Sequence, residues 1–172
     1  MGTEDSQARE RADLLETLAS RRNFLRQTCR DLSDEQAAQR TTVSELCLGG
    51  LIKHCALVER NWIRFIQDGP SAMTSIAGEG PAAWQDMFRM TGGETLAGLL
   101  AQYGDIASET EKVVSGLDNL DADHPLPERP WFPKGTRWSA RRVLLHIIAE
   151  TSQHAGHADI IRESLDGAKT MG

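Results

Sequence analysis

Hydrophobic residues recur at helical spacing in four separate segments of the chain. The first segment, from about Ser6 to Leu32, contains no Gly or Pro and repeats Leu and Phe at intervals of three and four residues. Similar patterns begin between Ser44 and Gly50 and end at Gln67, run from about Glu94 to Leu117, and run from Ser139 to about Asp166. The pattern predicts four long helices and no regular β-strand.

Capping and breaking residues mark the ends of these segments. Ser33 and Gln36 have the spacing of a capping box, with Ser33 as N-cap of a short turn after the first helix. The residues Asp68-Gly69-Pro70 are expected to end the second helix, and Ser139 is expected to cap the start of the last one. The helix boundaries are therefore predicted from the local sequence.

Two long connections separate the helices. The first, Ser71–Gly93, is rich in Gly, Ala and Ser, and we expect one turn around Trp84. The second, Asp121–Thr136, holds four of the six prolines and is predicted to be loop. Long connections between four helices predict an all-α fold, a four-helix bundle with crossovers, in one domain spanning residues 1–172.

The charge balance excludes some classes of partner. The chain of 172 residues has 19 Lys and Arg against 25 Asp and Glu, so its formal net charge is −6. The basic residues are scattered, whereas binding to nucleic acid needs them clustered. No apolar run reaches the roughly 18 residues of a membrane span, and the first ten residues do not form a signal peptide. We therefore expect no nucleic-acid or membrane partner.

Cysteine usage indicates a reducing compartment. The three cysteines, Cys29, Cys47 and Cys55, contain no CxxC pair and are odd in number. This pattern is typical of cytoplasmic proteins rather than of a disulfide framework. We therefore expect a cytoplasmic protein.

The last helix carries several groups that could bind a metal. If His146 is set at zero and each residue advances by about 100°, then Glu150, His154 and His157 all fall within about 80° of it. Burying these groups together is costly unless a metal or a hydrogen-bond network satisfies them. The alternative is a solvated polar face of the helix. Glu150 with His154, and His154 with His157, have spacings that can chelate one ion.

The second helix offers a further ligand in His54. This residue lies on the same side as the apolar stripe of its helix, where a histidine is more often a hydrogen-bonded core residue. As a ligand, it would complete a site with two ligands from one helix, one from another and an open position, as in catalytic zinc sites. Cys55 points about 100° away from His54, and Cys47 lies about 10 Å along the axis, so neither thiol is expected to be a ligand.

Two sequence blocks resemble the DinB-like superfamily of metal-binding four-helix proteins, which includes thiol-dependent transferases and isomerases. The first block is GLIKHCALVERNW at residues 50–62, and the second is HIIAETSQHAGHADIIRE at residues 146–163. The dipeptides Trp138-Ser139 and Asp166-Gly167 continue the resemblance, which covers nearly the whole chain.

The resemblance implies a metal site at His54, Glu150 and His154. Many members have histidine where this chain has Glu150, and the glutamate version resembles the mycothiol-dependent maleylpyruvate isomerase. The resemblance also implies a divalent metal, zinc or nickel in many members, and a homodimer. His146 and His157 flank the three residues, and we expect them to orient ligands or to move protons.

These features favour a metal-dependent transferase or isomerase that acts on a small-molecule substrate with a low-molecular-weight thiol such as mycothiol or bacillithiol. The alternative is a non-catalytic, stress-associated helical bundle whose metal is structural or absent. An open coordination position would distinguish the two, because a structural zinc is closed by a fourth protein ligand. Three charged residues, Glu59, Arg60 and Asp159, are expected to form ion pairs between helices.

Overall fold

The structure of the protein is a computed structural model that describes residues 3–73 and 85–170. Five α-helices lie wholly within these residues: α1 (Thr3–Gln27), α2 (Asp34–Ala38), α3 (Leu48–Asp68), α4 (Leu96–Ser115) and α5 (Ala140–Asp166). A 3₁₀ helix, Gly69–Met73, follows α3, and two short strands, β1 (Asp123–Pro125) and β2 (Arg137–Ser139), precede α5. The predicted all-α class is confirmed. None of the described helices is long and apolar enough to cross a membrane.

The four long helices form a bundle in which α5 packs against α1 and α3, and α4 packs against the same two helices. Two buried apolar clusters follow each other along the bundle. The first includes Leu25, Leu51, Leu99 and Ile161, and the second includes Leu18, Phe65, Val114 and Leu144. Their order along each helix shows that α3 and α4 run in the same direction. The chain therefore leaves α3 at one end of the bundle and enters α4 at the other, as the predicted crossover requires.

The first helix is shorter at its C-terminal end than the apolar pattern predicted. It ends at Gln27 instead of Leu32, and Asp31 adopts a left-handed conformation with φ of 60°. The Thr28 hydroxyl donates a hydrogen bond to the Leu25 carbonyl at the end of this helix. The chain then enters α2, whose capping box between Ser33 and Gln36 has both predicted hydrogen bonds.

The proline-rich connection is not entirely loop, so the prediction over Asp121–Thr136 was wrong at β1. Strands β1 and β2 pair antiparallel, with His124 opposite Trp138. Strands of three residues are too short to show an alternating pattern of polar and apolar positions. The partner strand is also distant in sequence, so no local pattern indicates the pairing. Ser139 ends β2 and caps α5 as predicted, since its side chain accepts a hydrogen bond from the Arg142 backbone N–H. The turn expected around Trp84 lies outside the described residues.

One predicted ion pair between helices is present. Glu59 of α3 is fully buried and binds Arg22 of α1, with Nη2 to Oε1 at 2.6 Å and Nε to Oε2 at 3.0 Å. The Thr110 hydroxyl of α4 donates to the same carboxylate.

The ion pairs predicted for Arg60 and Asp159 are absent from the part of the chain that the structure describes. Asp159 accepts hydrogen bonds from the Thr170 backbone and hydroxyl, so it fixes the C-terminal segment instead of pairing with a base. The Arg60 Nε is buried without a hydrogen-bond partner among the described residues.

Candidate metal centre

Helices α3 and α5 bring three potential ligands together close to the boundary between the two apolar clusters. His54 projects from α3, and Glu150 and His154 lie one turn apart on α5. One Glu150 carboxylate oxygen is 3.8 Å from His54 Nε2 and 3.6 Å from His154 Nε2. The three side chains offer ligand atoms that all lie within 4.8 Å of one another. They form a group that could hold a metal ion.

Burial and charge favour the binding of a cation by these three side chains. His54 is 5% exposed, and desolvation lowers its pKa even though Glu150 acts in the opposite direction. The neighbouring imidazoles of His154 and His54 lower the pKa of the Glu150 carboxyl far below its usual range. At neutral pH the group therefore presents a neutral imidazole at His54 and an ionised carboxylate. Imidazole nitrogen in its neutral form and carboxylate oxygen are the donors that zinc and similar divalent ions bind.

The spacing of the donor atoms fits one tetrahedral ion. Two ligand atoms that are each about 2.1 Å from such an ion lie about 3.4 Å apart. The two measured separations, 3.6 and 3.8 Å, are close to this value. The His54 Nδ1 atom is buried without a hydrogen-bond partner among the described residues. The third pair of donor atoms, on His54 and His154, lies within the 4.8 Å that spans the group, so the three residues fit a divalent ion.

The two flanking histidines lie outside the group of three. His157 contacts it, because its Nδ1 is 3.4 Å from the Nδ1 of His154. If the Nε2 of His154 binds a metal, its Nδ1 carries the proton and donates a hydrogen bond to the Nδ1 of His157. His146 instead packs edge-on against Trp62 and Trp138, with ring centroids 5.0 and 5.1 Å away. Burial lowers the pKa of His146 and keeps its ring neutral.

The cysteines stay outside the group of three, as expected. Cys55 is 2% exposed, and burial raises the pKa of its thiol far above the usual range. The pKa of the Cys29 thiol is raised to about 11 by the same effect. The Cys47 thiol points to the backbone carbonyl of Phe88 at 3.7 Å. Buried thiols that remain protonated are poor metal ligands.

A cavity of about 400 Å³ adjoins the centre and reaches both His54 and Glu150. Besides His54 and Glu150, the polar residues of its wall are His146, Asn61 and Arg129. The rest of the wall is apolar or aromatic and consists of Val58, Trp62, Met73, Met87, Phe88, Pro127, Trp131 and Phe132. A cavity of this volume is in the range that holds a small molecule. Two of the three potential ligands, His54 and Glu150, therefore lie at the wall of a pocket that could hold a small molecule.

The sequence analysis missed Phe88, whose ring stacks on His54 with centroids 4.1 Å apart. Its position depends on two glycines in the first turn of α3. A Cβ at Gly50 would lie 1.9 Å from the Phe88 carbonyl oxygen, and a Cβ at Gly49 would lie 2.2 Å from the Met90 sulfur. The Gly-Gly pair was the available signal, because glycine in a helix often permits a close backbone approach.

Asn61 and Arg129 were also missed as pocket residues. Asn61 lies two turns from His54 on the same side of α3, so its spacing could have indicated it. Arg129 follows no such pattern, because it reaches the pocket from the proline-rich connection.

Comparison with known proteins gives one match. The model of the Mycothiol-S-transferase family matches residues 13–167, a range that includes all three residues of the centre and most of the pocket wall. No curated protein matches the chain. The resemblance to the DinB-like superfamily is confirmed by this match, since the matching family is DinB-like.

Proposed function

The chain belongs to the mycothiol S-transferase family, and from this premise we propose that it joins the thiol of mycothiol to a small electrophile at a divalent metal. His54, Glu150 and His154 would hold the metal. The observation that carries the proposal is the pocket, which reaches two of these three residues. A purely structural metal would not need a pocket of this size beside it.

The number and type of ligands support a catalytic role. Catalytic zinc sites provide three protein ligands and keep one position open, whereas structural sites close with four. Among the described residues, three side chains form the group, and no fourth His, Cys, Asp or Glu joins it. When bound, a divalent ion would lower the pKa of a thiol from about 8.5 into the neutral range.

The chain's own residues then serve the reaction. Glu150 contributes a negative charge, so a site with two neutral imidazoles and a divalent ion retains one net positive charge, which a thiolate neutralises. His146 lies in the pocket wall, and its ring, which burial keeps neutral, would accept the thiol proton. The sulfur forms a bond to the electrophilic carbon, and the leaving group departs with its electron pair. The apolar wall excludes water, which would compete as a nucleophile.

The first experiment measures the metal and the thiol directly. The protein is purified without an affinity tag, its metal content is determined, and the cobalt-substituted form is titrated with mycothiol. We expect one metal per chain and a sulfur-to-cobalt charge-transfer band. His154→Ala should lose both, and Cys55→Ala is the matched control that should keep both, because the Cys55 thiol is buried and protonated.

Two results would contradict the proposal. Loss of the metal in Cys55→Ala, with metal retained in His154→Ala, would show that the ligand set is wrong. One metal per chain without a charge-transfer band or conjugation of any electrophile would instead support the non-catalytic bundle with a structural metal.

A further inference from the structure

Two polar side chains in the pocket wall have no partner among residues 3–73 and 85–170. Asn61 is 4% exposed, and its side chain makes no hydrogen bond to any described residue. The Arg129 side chain likewise has no ion pair or hydrogen bond in the described part of the chain. Two arginines close to the same connection do have ion pairs: Arg141 pairs with Glu10 and Asp121, and Arg137 pairs with Asp123.

The Asn61 side chain borders the pocket and forms no hydrogen bond with the described residues, so its amide is available to a polar group of a ligand. Asn61 therefore indicates a polar group on the molecule that fills the pocket. An unpaired guanidinium in the same wall indicates that this polar group is an anion, and the planar fork of arginine matches a carboxylate. Both side chains line the same pocket, so both are accessible to a ligand that fills it.

Contacts between aromatic rings locate the Arg129 turn. The Phe132 backbone N–H donates to the Arg129 carbonyl, so the two residues share a tight turn. The Phe132 ring lies 6.0 Å from Trp138, whose ring stacks on Trp62 at 4.7 Å. Trp62 adjoins Asn61 in sequence and lies about 12 Å along α3 from His54. The Arg129 turn is therefore near the end of the pocket that is remote from the potential metal ligands.

We infer that the electrophile, if the proposed transferase function holds, is a small apolar molecule that carries a carboxylate. Its body would lie among Trp62, Phe88 and Phe132, and its carboxylate would bind Arg129 and Asn61. Its reactive carbon would then face His54 and Glu150 at the other end. The pocket would thus select substrates whose anionic group lies at the opposite end of the molecule from the reacting carbon.

Two matched pairs of compounds test this inference on the zinc-loaded protein. Binding is measured by calorimetry with 3-phenylpropanoate and with its amide, which do not react with thiols. Turnover is measured with mycothiol and 4-chloro-3-nitrobenzoate or its amide, in which sulfur bonds to the ring carbon and chloride leaves with the electron pair. In both pairs the carboxylate should be favoured about tenfold, at the lower end of the range for charge-assisted hydrogen bonds because Arg129 is partly exposed.

Three variants assign the effect. Arg129→Gln should remove the preference for the carboxylate and leave the amides unchanged. Asn61→Asp should also remove the preference for the carboxylate, because the new side-chain carboxylate would repel the carboxylate of the ligand. Lys134→Gln removes a charge from the same connection outside this pocket, so it should keep the preference.

The outcomes separate this inference from the proposed function. Equal binding of acid and amide, or a preference that survives Arg129→Gln, would overturn the carboxylate site even if both chlorides are turned over. An effect of Arg129→Gln on the KM for mycothiol alone would also overturn it, because the anion site would then serve the thiol. If neither chloride reacts and the calorimetric preference depends on Arg129, the carboxylate site is supported and the transferase reaction is not.

Discussion

Replacing Gly50 by alanine tests whether the start of α3 supports the candidate metal centre. The new Cβ would lie 1.9 Å from the Phe88 carbonyl oxygen and 2.3 Å from its carbon. Ordinary contacts between such atoms begin near about 3.5 Å, so the Phe88 backbone must move by about 1.5 Å. Overpacking against backbone should lower the free energy of unfolding by about 2–3 kcal/mol, which corresponds to a Tm lower by about 4–12 °C.

The same displacement should weaken metal binding. The Phe88 ring stacks on His54 at 4.1 Å, so moving Phe88 changes the orientation of that imidazole. Changes to residues that orient a ligand typically reduce metal affinity by about 10–100-fold. Affinity is measured by competition with a chromophoric chelator, and stability by thermal unfolding of the metal-free protein.

Gly156→Ala is the matched control for Gly50→Ala. Gly156 lies in α5, and a Cβ there would meet nothing within 4 Å. Alanine is the better helix former by about 1 kcal/mol, so this variant should be more stable than the wild type and bind metal equally well. Gly50→Ala with wild-type Tm and wild-type metal affinity would refute the close approach of Phe88 to α3.

Three further predictions concern stability and the metal centre. Arg22→Met should lower the free energy of unfolding in denaturant by about 3–5 kcal/mol, because Glu59 stays buried without its partner. Adding Glu59→Leu should restore most of this loss, and equal stability of the single and double variants would contradict the prediction. The metal-free protein should lose stability as pH falls below about 6.5, because burial lowers the pKa of His54 and the unfolded chain then binds more protons than the folded one. Urea midpoints that stay constant from about pH 7.5 to about pH 5 would exclude this effect. His157→Phe should reduce metal affinity about 10–100-fold. His157→Gln should keep part of that affinity, because glutamine, unlike phenylalanine, can accept a hydrogen bond from His154. Equal affinities of the two variants would mean that His157 does not position His154.

Local sequence determined the helices and the group of potential ligands. The capping box at Ser33 and the N-cap at Ser139 were predicted because their hydrogen bonds join residues three positions apart. The spacing of Glu150 and His154 placed both on one side of α5 for the same reason. His54 was predicted to face the interior from the apolar stripe of α3, and its burial confirms this.

Only the tertiary structure decided what surrounds these residues. The pairing of β1 with β2, the Phe88 ring on His54 and the approach of Arg129 to the pocket all join segments that are 12 or more residues apart. No periodicity within one segment records such contacts, because they depend on how the connections cross the bundle. Helical spacing therefore predicted which residues could bind a metal, whereas the pocket beside them arose from the packing of distant segments.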